Sequence, residues 1–305
     1  MISQLRVSVA VAVGLLACYA DPQPAPQPPK TLVVLLGTGT PVADPERSGP
    51  SVAIVVNGKA YLVDCGPGVV RRAAAAEQNG IAALKVQNIT TVFFTHLHSD
   101  HTLGYPDLIL TPWVLQRAEP LQAYGPRGLS SMTKHIEAAW KKDIKVRTQG
   151  LEEANRTGYK VVVHEISPGV VYRDANVKVT AFPVKHGSWD QAFGYRFDTA
   201  DRSVVLSGDT APTDEVVKAC HGCDLLFHEV YNPIGEEMKE EHWQKYFSSF
   251  HTSPEELGRI AAAAHPKLLV LYHQVLHQRP EQELVDEVKA HYSGNFVSGK
   301  DLGVY

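Results

Sequence analysis

The chain has 305 residues, 44% of them hydrophobic and 20% charged, the composition of an ordinary globular protein. Its 29 basic and 33 acidic residues give a formal net charge of −4, which excludes the global basic field that holds a polyanion. The length allows one large domain or two small ones.

Residues 7–17, "VSVAVAVGLLA", follow a single positive charge and form an apolar run of signal-peptide length, too short to span a bilayer. Behind it, Cys18 and the Pro-rich "ADPQPAPQPPK" read as an extended spacer that cannot pack. We expect an export signal over 1–20, a linker over 21–30 and one domain over 31–305. Leu15-Leu16-Ala17-Cys18 resembles a bacterial lipobox, so the alternatives are a lipid anchor at Cys18 and cleavage after Ala20. The expected location is outside the cytoplasm: periplasmic, lipid-anchored or secreted.

From Thr31 onward strand and helix signals alternate. "TLVVLLG" is followed by "SVAIVVNGKAYLVDCG", which contains the hairpin signal Asn57-Gly58. A helix carrying Ala73 to Ala76 stops at Gly80, "TTVFFT" is a strand and "LQAYG" another. A polar middle follows, whose basic run Lys141 to Arg147 reads as a solvated face. Then come the strands "KVVVHEI", "NVKVTAFPVKH", "FGYRFDT", "SVVLSGDT", "DLLFHEV" and "KLLVLYH", with helices over Thr213–Ala219, Ser253–Ala264 and Glu281–His291. Ser253, Pro254 and Glu256 form a capping box with proline in the first turn. Alternation of this kind implies an α/β architecture of sheet covered by helices.

Chemistry collects at strand ends. His96, His186, Asp209, Glu229 and His273 each end a predicted strand, where ligand sites of layered α/β folds gather. "HLHSDH" adds a geometric argument. In extended backbone His96 and His98 point to one side, as two ligands of one ion must. Asp100 and His101 fall one turn further and face a neighbouring position, so two adjacent ions would need a bridging acceptor, which a carboxylate can be. Imidazole and carboxylate together suit zinc, with iron or manganese as alternatives. Of the remaining polar groups, His164, His228, His265 and His291 read as satisfied histidines, and His277 as a weaker rival to His273. His242 and Trp243 read as loop packing within 233–251, "PIGEEMKEEHWQKYFSSFH", a segment that could overhang the site as a lid. Asp214 and Glu215 are first-turn acids. Cys220 and Cys223 lack the second pair of a zinc site, which leaves a local disulfide or two thiols, and Cys65 reads as a small buried hydrophobe.

"THLHSDHTLG" resembles the metallo-β-lactamase superfamily, whose HxHxDH motif is far more specific than a lone HxH. "LLGTGTPVADPERSGPS", "YLVDCGPG", "LQAYGPRGL", "FGYRF", "LSGDT", "DLLFHEV" and the closing "SGKDLGVY" resemble the ribonuclease Z branch and its arylsulfatase and phosphodiesterase relatives. The resemblance implies a four-layer αββα sandwich in a single domain, and a homodimer. It implies two zinc ions, the first on His96, His98 and His186, the second on Asp100, His101 and His273, with Asp209 bridging. It places Asp64 behind the histidine loop as a support. The chemistry would fall to Asp100 and to His251 with Glu229, the pair that matches the leaving-group proton donor of ribonuclease Z, with Glu229 favouring the His251 imidazolium.

Two departures bear on substrate. Gly66-Pro67-Gly68-Val69 stands where that branch reads Gly-Glu-Gly-Thr, and "FGYRFDTADRSVVLSGDT" runs without the insertion that forms the tRNA-gripping arm. The expected activity is an exported binuclear zinc hydrolase of small phosphodiesters or cyclic nucleotides. The protein is expected to take small-molecule esters, not tRNA, and to meet a membrane only through a lipid anchor. Arylsulfatase or lactone and ester hydrolysis on the same fold is the alternative within the class, and a non-hydrolytic diiron redox or metal-binding protein the alternative outside it. A metal store, however, has no use for Glu229 and His251.

Overall fold

Alternate residues of β1 (Thr31–Gly37) serve two different cores: Val33 and Leu35 face one, Val34 and Leu36 the other, and all four are fully buried. A strand covered on both faces needs apolar residues throughout, which is why "TLVVLLG" shows no alternation. The computed structural model describes residues 31–235 and 237–305. The expected export signal, Cys18 and the linker lie outside the described residues. No helix among the described residues is long and apolar enough to cross a membrane.

The first sheet sets β1, β2 (Ser51–Val56), β3 (Lys59–Val63), β4 (Thr91–Phe93), β5 (Leu121–Gly125) and β6 (Val161–Glu165) side by side in chain order. Its first three strands are antiparallel and the rest parallel. Asn57 and Gly58 both take positive φ (49° and 79°) in the tight turn between β2 and β3, the conformation for which that dipeptide is suited. The second sheet comprises β7 (Gly169–Arg173), β8 (Lys178–Pro183), β9 (Phe193–Asp198), β10 (Ser203–Leu206), β11 (Leu225–Tyr231), β12 (Leu268–Val275) and β13 (Phe296–Ser298).

The inner faces of the two sheets meet around Phe93, whose ring lies 5.6 Å from those of both Tyr195 and Phe197. On the outer face of the first sheet lie α1 (Val69–Gln78), α3 (Tyr105–Val114) and α4 (Leu129–Ala139), with Val70, Ala73, Leu108 and Ile109 packed onto Leu36 and Leu62; α2 (Ser99–Thr102) precedes α3, and α5 (Lys141–Gln149) follows α4. The outer face of the second is covered through Val216 of α6 (Asp214–Cys220), Leu257 of α8 (Pro254–Ala264) and Leu284 of α9 (Glu281–His291). Between α6 and α8 runs α7 (Glu241–Phe250). The layers are helix, sheet, sheet, helix: the expected αββα sandwich. Full burial of each large apolar side chain contributes about 1.5–3 kcal/mol.

The two sheets are also tied at their polar end. The Asp174 carboxylate accepts hydrogen bonds from the Tyr61 hydroxyl (2.6 Å), the Tyr172 hydroxyl (2.8 Å) and Lys59 Nζ (2.9 Å), joining the β2–β3 hairpin to the β7–β8 turn. Ser253 caps α8 in the expected box with Glu256, and Thr213 caps α6 by accepting from the Glu215 N–H. The open question about Cys220 and Cys223 resolves as a disulfide, and Cys65 is a buried free thiol.

Candidate metal centre

Five chain segments carry the site residues to one end of the sandwich. His96 and His98 follow β4 in extended backbone, His98 being the residue just before α2 (φ −60°, ψ 152°), and Asp100 and His101 lie within that single helical turn. His186 follows β8. Asp209 follows β10 through Gly208, whose φ of 62° and whose absent Cβ, 2.6 Å from the Phe193 carbonyl oxygen were it present, both require glycine. Glu229 and His273 do not end their strands, as the sequence suggested, but lie inside β11 and β12. The ladder slips there: His228 pairs with Leu271 and Val230 with Gln274, so Glu229 alone opposes Tyr272 and His273. This bulge, with His273 in the left-handed region (φ 46°), turns both side chains out of the sheet's alternation and into the site.

The predicted ligands come together in three groups: His96 with His98 and His186; His96 with His101 and Asp209; Asp100 with His101 and His273. His98 Nδ1 lies 2.9 Å from His96 Nε2 and 3.0 Å from His186 Nε2. Asp209 Oδ2 stands between two histidine pairs. It is 4.0 Å from His96 Nε2 and 3.9 Å from His186 Nε2 on one side, and 3.4 Å from both His101 Nε2 and His273 Nε2 on the other. Asp100 Oδ2 completes the second group, 3.2 Å from His273 Nε2 and 3.6 Å from His101 Nε2. His101 Nε2 and Asp209 Oδ1 are buried without hydrogen-bond partners. Buried lone pairs of nitrogen and carboxylate oxygen facing one another are costly unless a cation lies between them. The donor set therefore fits divalent metal ions.

Electrostatics differ between the two ligand groups. Burial holds the His96 imidazole well below its ordinary pKa and His186 down at about 4, so both are neutral, as ligands must be. Burial would also lower His101, but the Asp209, Asp64 and Asp100 carboxylates outweigh it and hold His101 well above the ordinary value. Burial would raise Asp100, yet His101 and His273 bring it to about 2.

Supporting contacts fix the rings. Asp64, itself in a left-handed conformation (φ 60°), accepts from the Thr95 N–H (2.8 Å), the Thr95 hydroxyl (2.9 Å) and His101 Nδ1 (2.9 Å), the supporting place expected for it. His186 Nδ1 donates to the Phe250 carbonyl at 2.8 Å. Trp189, which the sequence did not single out, packs beside the His98 ring, its indole nitrogen 2.9 Å from His98 Nε2. Its one signal was an aromatic residue in the polar loop that follows His186.

Glu229 and His251 meet, but not as the expected ion pair. Glu229 Oε2 lies 3.3 Å from His251 Nδ1, and Oε1 accepts from the N–H groups of Thr252 (2.9 Å) and Thr210 (3.3 Å). Burial, then the Asp209 charge, push the Glu229 carboxyl well above its usual range, and burial brings His251 down to about 4. Both shifts favour the neutral pair, with the proton on the carboxyl group and the imidazole placed to relay it. Charge separation that deep in protein costs more than one 3.3 Å contact returns.

Among the other histidines, His164 bonds Gln122 (3.1 Å) and stacks on Tyr124, and His265 caps α8 in the left-handed region. His228 is not satisfied as expected: its Nδ1 bonds the Glu229 carbonyl, and its buried Nε2 has no partner. The basic run Lys141 to Arg147 lies on α5, none of whose residues is buried.

Above the ligands opens a cleft of about 360 Å3. His98, Asp100, Asp209, His251 and His273 form its floor, and Trp243, Tyr246 and Phe247 of α7 its roof. Trp243 is thus not loop packing but part of the cleft. Pro41, Val42 and Val275 close the sides, and no lysine or arginine is among the described residues of the lining.

Residues 59–274 match the family model described as the Beta-lactamase superfamily domain. The chain is 36% identical over 253 residues to a ribonuclease Z of Mycobacterium sp. (strain KMS), covering 82% of this chain and 86% of that one. Among solved structures it is similar to the short form of human tRNase Z, at 26% identity and a TM-score of 0.66 over 90% of this chain and 98% of that one. It is also similar to the metallo-β-lactamase fold protein YhfI from Bacillus subtilis, at 18% identity and a TM-score of 0.68 over 90% and 99%.

Proposed function

The chain belongs to the β-lactamase superfamily, in its ribonuclease Z branch, and from that premise we propose an exported hydrolase of small phosphodiesters, cyclic nucleotides among them, that works with two zinc ions. That it is a metal-dependent, phosphodiesterase-like hydrolase follows from the family and the donor set. The observation that carries the two-ion reading is the place of Asp209 Oδ2 between two histidine pairs. His96, His98 and His186 would hold one ion, Asp100, His101 and His273 the other, with Asp209 shared. Divalent cations there supply charge that polarises a phosphoryl oxygen and acidifies water.

The chain's own groups do the rest. Glu229 and His251 hold a proton at the edge of the cleft. As charge develops on the departing oxygen, the imidazole gives up its outer proton at Nε2 and takes the Glu229 proton at Nδ1, so the imidazole stays neutral and the negative charge passes to the Glu229 carboxylate, where the Thr252 and Thr210 N–H groups receive it. Asp64 and the Phe250 carbonyl hold His101 and His186 in their tautomers, and the aromatic roof keeps bulk water from the floor.

Two observations support a small substrate over tRNA. Residues 199–202 alone join β9 to β10, where the tRNA-gripping insertion would leave the sheet, and no lysine or arginine is among the described residues of the cleft lining to meet a polynucleotide backbone. Export is supported by the apolar run over 7–17 and by the Cys220–Cys223 disulfide, which suits an oxidising compartment. The test is a panel of phosphodiester, aryl sulfate, lactone and precursor-tRNA substrates with zinc-loaded protein. Phosphodiesters should be turned over fastest. Accurate cleavage at a tRNA 3′ end near physiological salt, or a faster sulfate or lactone reaction, would overturn the reading.

A further inference from the structure

The helix α7 presents Trp243, Tyr246, Phe247 and Phe250 at spacings of three, four and seven residues, hence on one face. Two of the four are anchors. Phe247 is buried and stacks on Tyr231 at 5.5 Å, and the Phe250 ring sits 4.9 Å from that of His186. The other two are not needed to hold the helix. Trp243 is 36% exposed, and its ring pairs among the described residues are with its helix neighbours His242 (5.0 Å), Tyr246 (5.6 Å) and Phe247 (5.9 Å). Tyr246 is half-buried and stacks by one face on Phe250 at 4.4 Å. Both line the cleft above Asp100 and Asp209.

Charge narrows what such a roof can take. Beyond the metal ligands and the aromatic roof, the polar groups of the cleft lining are Thr40, Ser99, His251, His277 and Gln278, with no lysine or arginine among the described residues, and Lys185 and Lys245 line a separate depression. A second phosphate on the substrate would find no lysine or arginine in this lining, and Arg47 and Arg279 of the adjoining depression are already paired with Glu281 and Glu283, whereas a flat uncharged ring would find two aromatic faces.

Resting on the phosphodiesterase reading above, we infer that Trp243 and Tyr246 form a stacking wall that selects a monoanionic ester bearing a planar aromatic or heteroaromatic group, such as a nucleobase. Stacking on an aromatic side chain is worth roughly 5- to 100-fold in affinity. The wall acts on binding, so its loss appears in Kd and KM and not in the chemical step.

Calorimetric binding to zinc-loaded protein tests this without turnover. Phenyl methylphosphonate and ethyl methylphosphonate are both monoanions and differ only in the ring. The native protein should bind the phenyl ester at least about tenfold more tightly, and a second phosphate placed on that ring should weaken it. Trp243→Ala and Tyr246→Leu should each remove most of the preference, Trp243→Phe should keep it, and zinc content and the ethyl-ester Kd should not change. A preference that survives both substitutions, equal weakening of both esters, or tighter binding of the doubly anionic probe would overturn the inference. If the ring preference is present while only sulfates or lactones are hydrolysed, the wall stands and the phosphodiesterase reading falls.

Discussion

Glu229 Oε2 faces His251 Nδ1 at 3.3 Å, with Glu229 wholly buried and His251 nearly so. A relay of this kind matters in proportion to the basicity of the leaving oxygen. His251→Ala should slow alkyl or nucleoside phosphodiesters by about 10²–10⁴-fold, largely spare p-nitrophenyl esters, and leave the metal count unchanged. Glu229→Gln should show the same selectivity more mildly. Equal slowing of both ester types, or loss of a metal from the His251 variant, would show that His251 is a ligand or a binding group instead.

Asp209 should decide metal content. With Oδ2 within 4.0 Å of four imidazole nitrogens, it reaches both ligand groups. Asp209→Ala should take elemental analysis from two ions per chain toward one or none. Native protein that is fully active with fewer than two ions would exclude a shared carboxylate.

Asp64 touches no predicted ion position, yet it accepts from His101 and from Thr95. Asp64→Asn should weaken metal affinity by about 10- to 100-fold in a chelator competition, with the fold intact by circular dichroism. An unchanged affinity would reduce Asp64 to a loop support.

Asp209 was legible from its place at a strand end, and Asp64 and His251 only through the family resemblance, because a metal site needs several unusual residue types at fixed places. The interior of the chain was less so. Pro106 and Pro112 punctuate α3, and "TKHIEAAWKKDIKVRTQ" buries only Thr133, so neither stretch carries a clear apolar stripe, though α3, α4 and α5 form there. The bulge at Glu229 and His273 was invisible for another reason: it is set by the pairing of two strands some forty residues apart. The charge state of the Glu229–His251 pair depends on burial, which spacing does not report.

Acid stability should depend on Asp174. Burial would raise its pKa, but hydrogen bonds from Tyr61, Lys59, the Asn176 N–H and Tyr172 hold it well below the ordinary carboxylate value. A group depressed on folding stabilises fully above its unfolded pKa of about 3.9 and loses that contribution as pH falls below it toward the folded value. After allowance for partial exposure the clamp is worth about 1–2 kcal/mol, a few degrees in Tm. Asp174→Asn should lower Tm at pH 7, and the gap to the native protein should narrow below pH ~4. A gap that stays constant to pH 3 would mean that the charge is not what stabilises the clamp.

One contact reaches beyond the ligands. His186 Nδ1 is bonded to the Phe250 carbonyl, and the next residue, Gly187, donates to the Ser249 carbonyl at 2.9 Å, so a ligand loop and the last turn of α7 are fastened as one piece. Whatever settles under the roof therefore biases the position of His186, and whatever His186 binds biases the roof. Binding at the two places shares one free energy, and by reciprocity each occupant changes the other's affinity by the same factor, which we expect to be a tightening. Substrate would then protect the protein from chelators, and metal starvation would first be felt as a loosened grip on substrate.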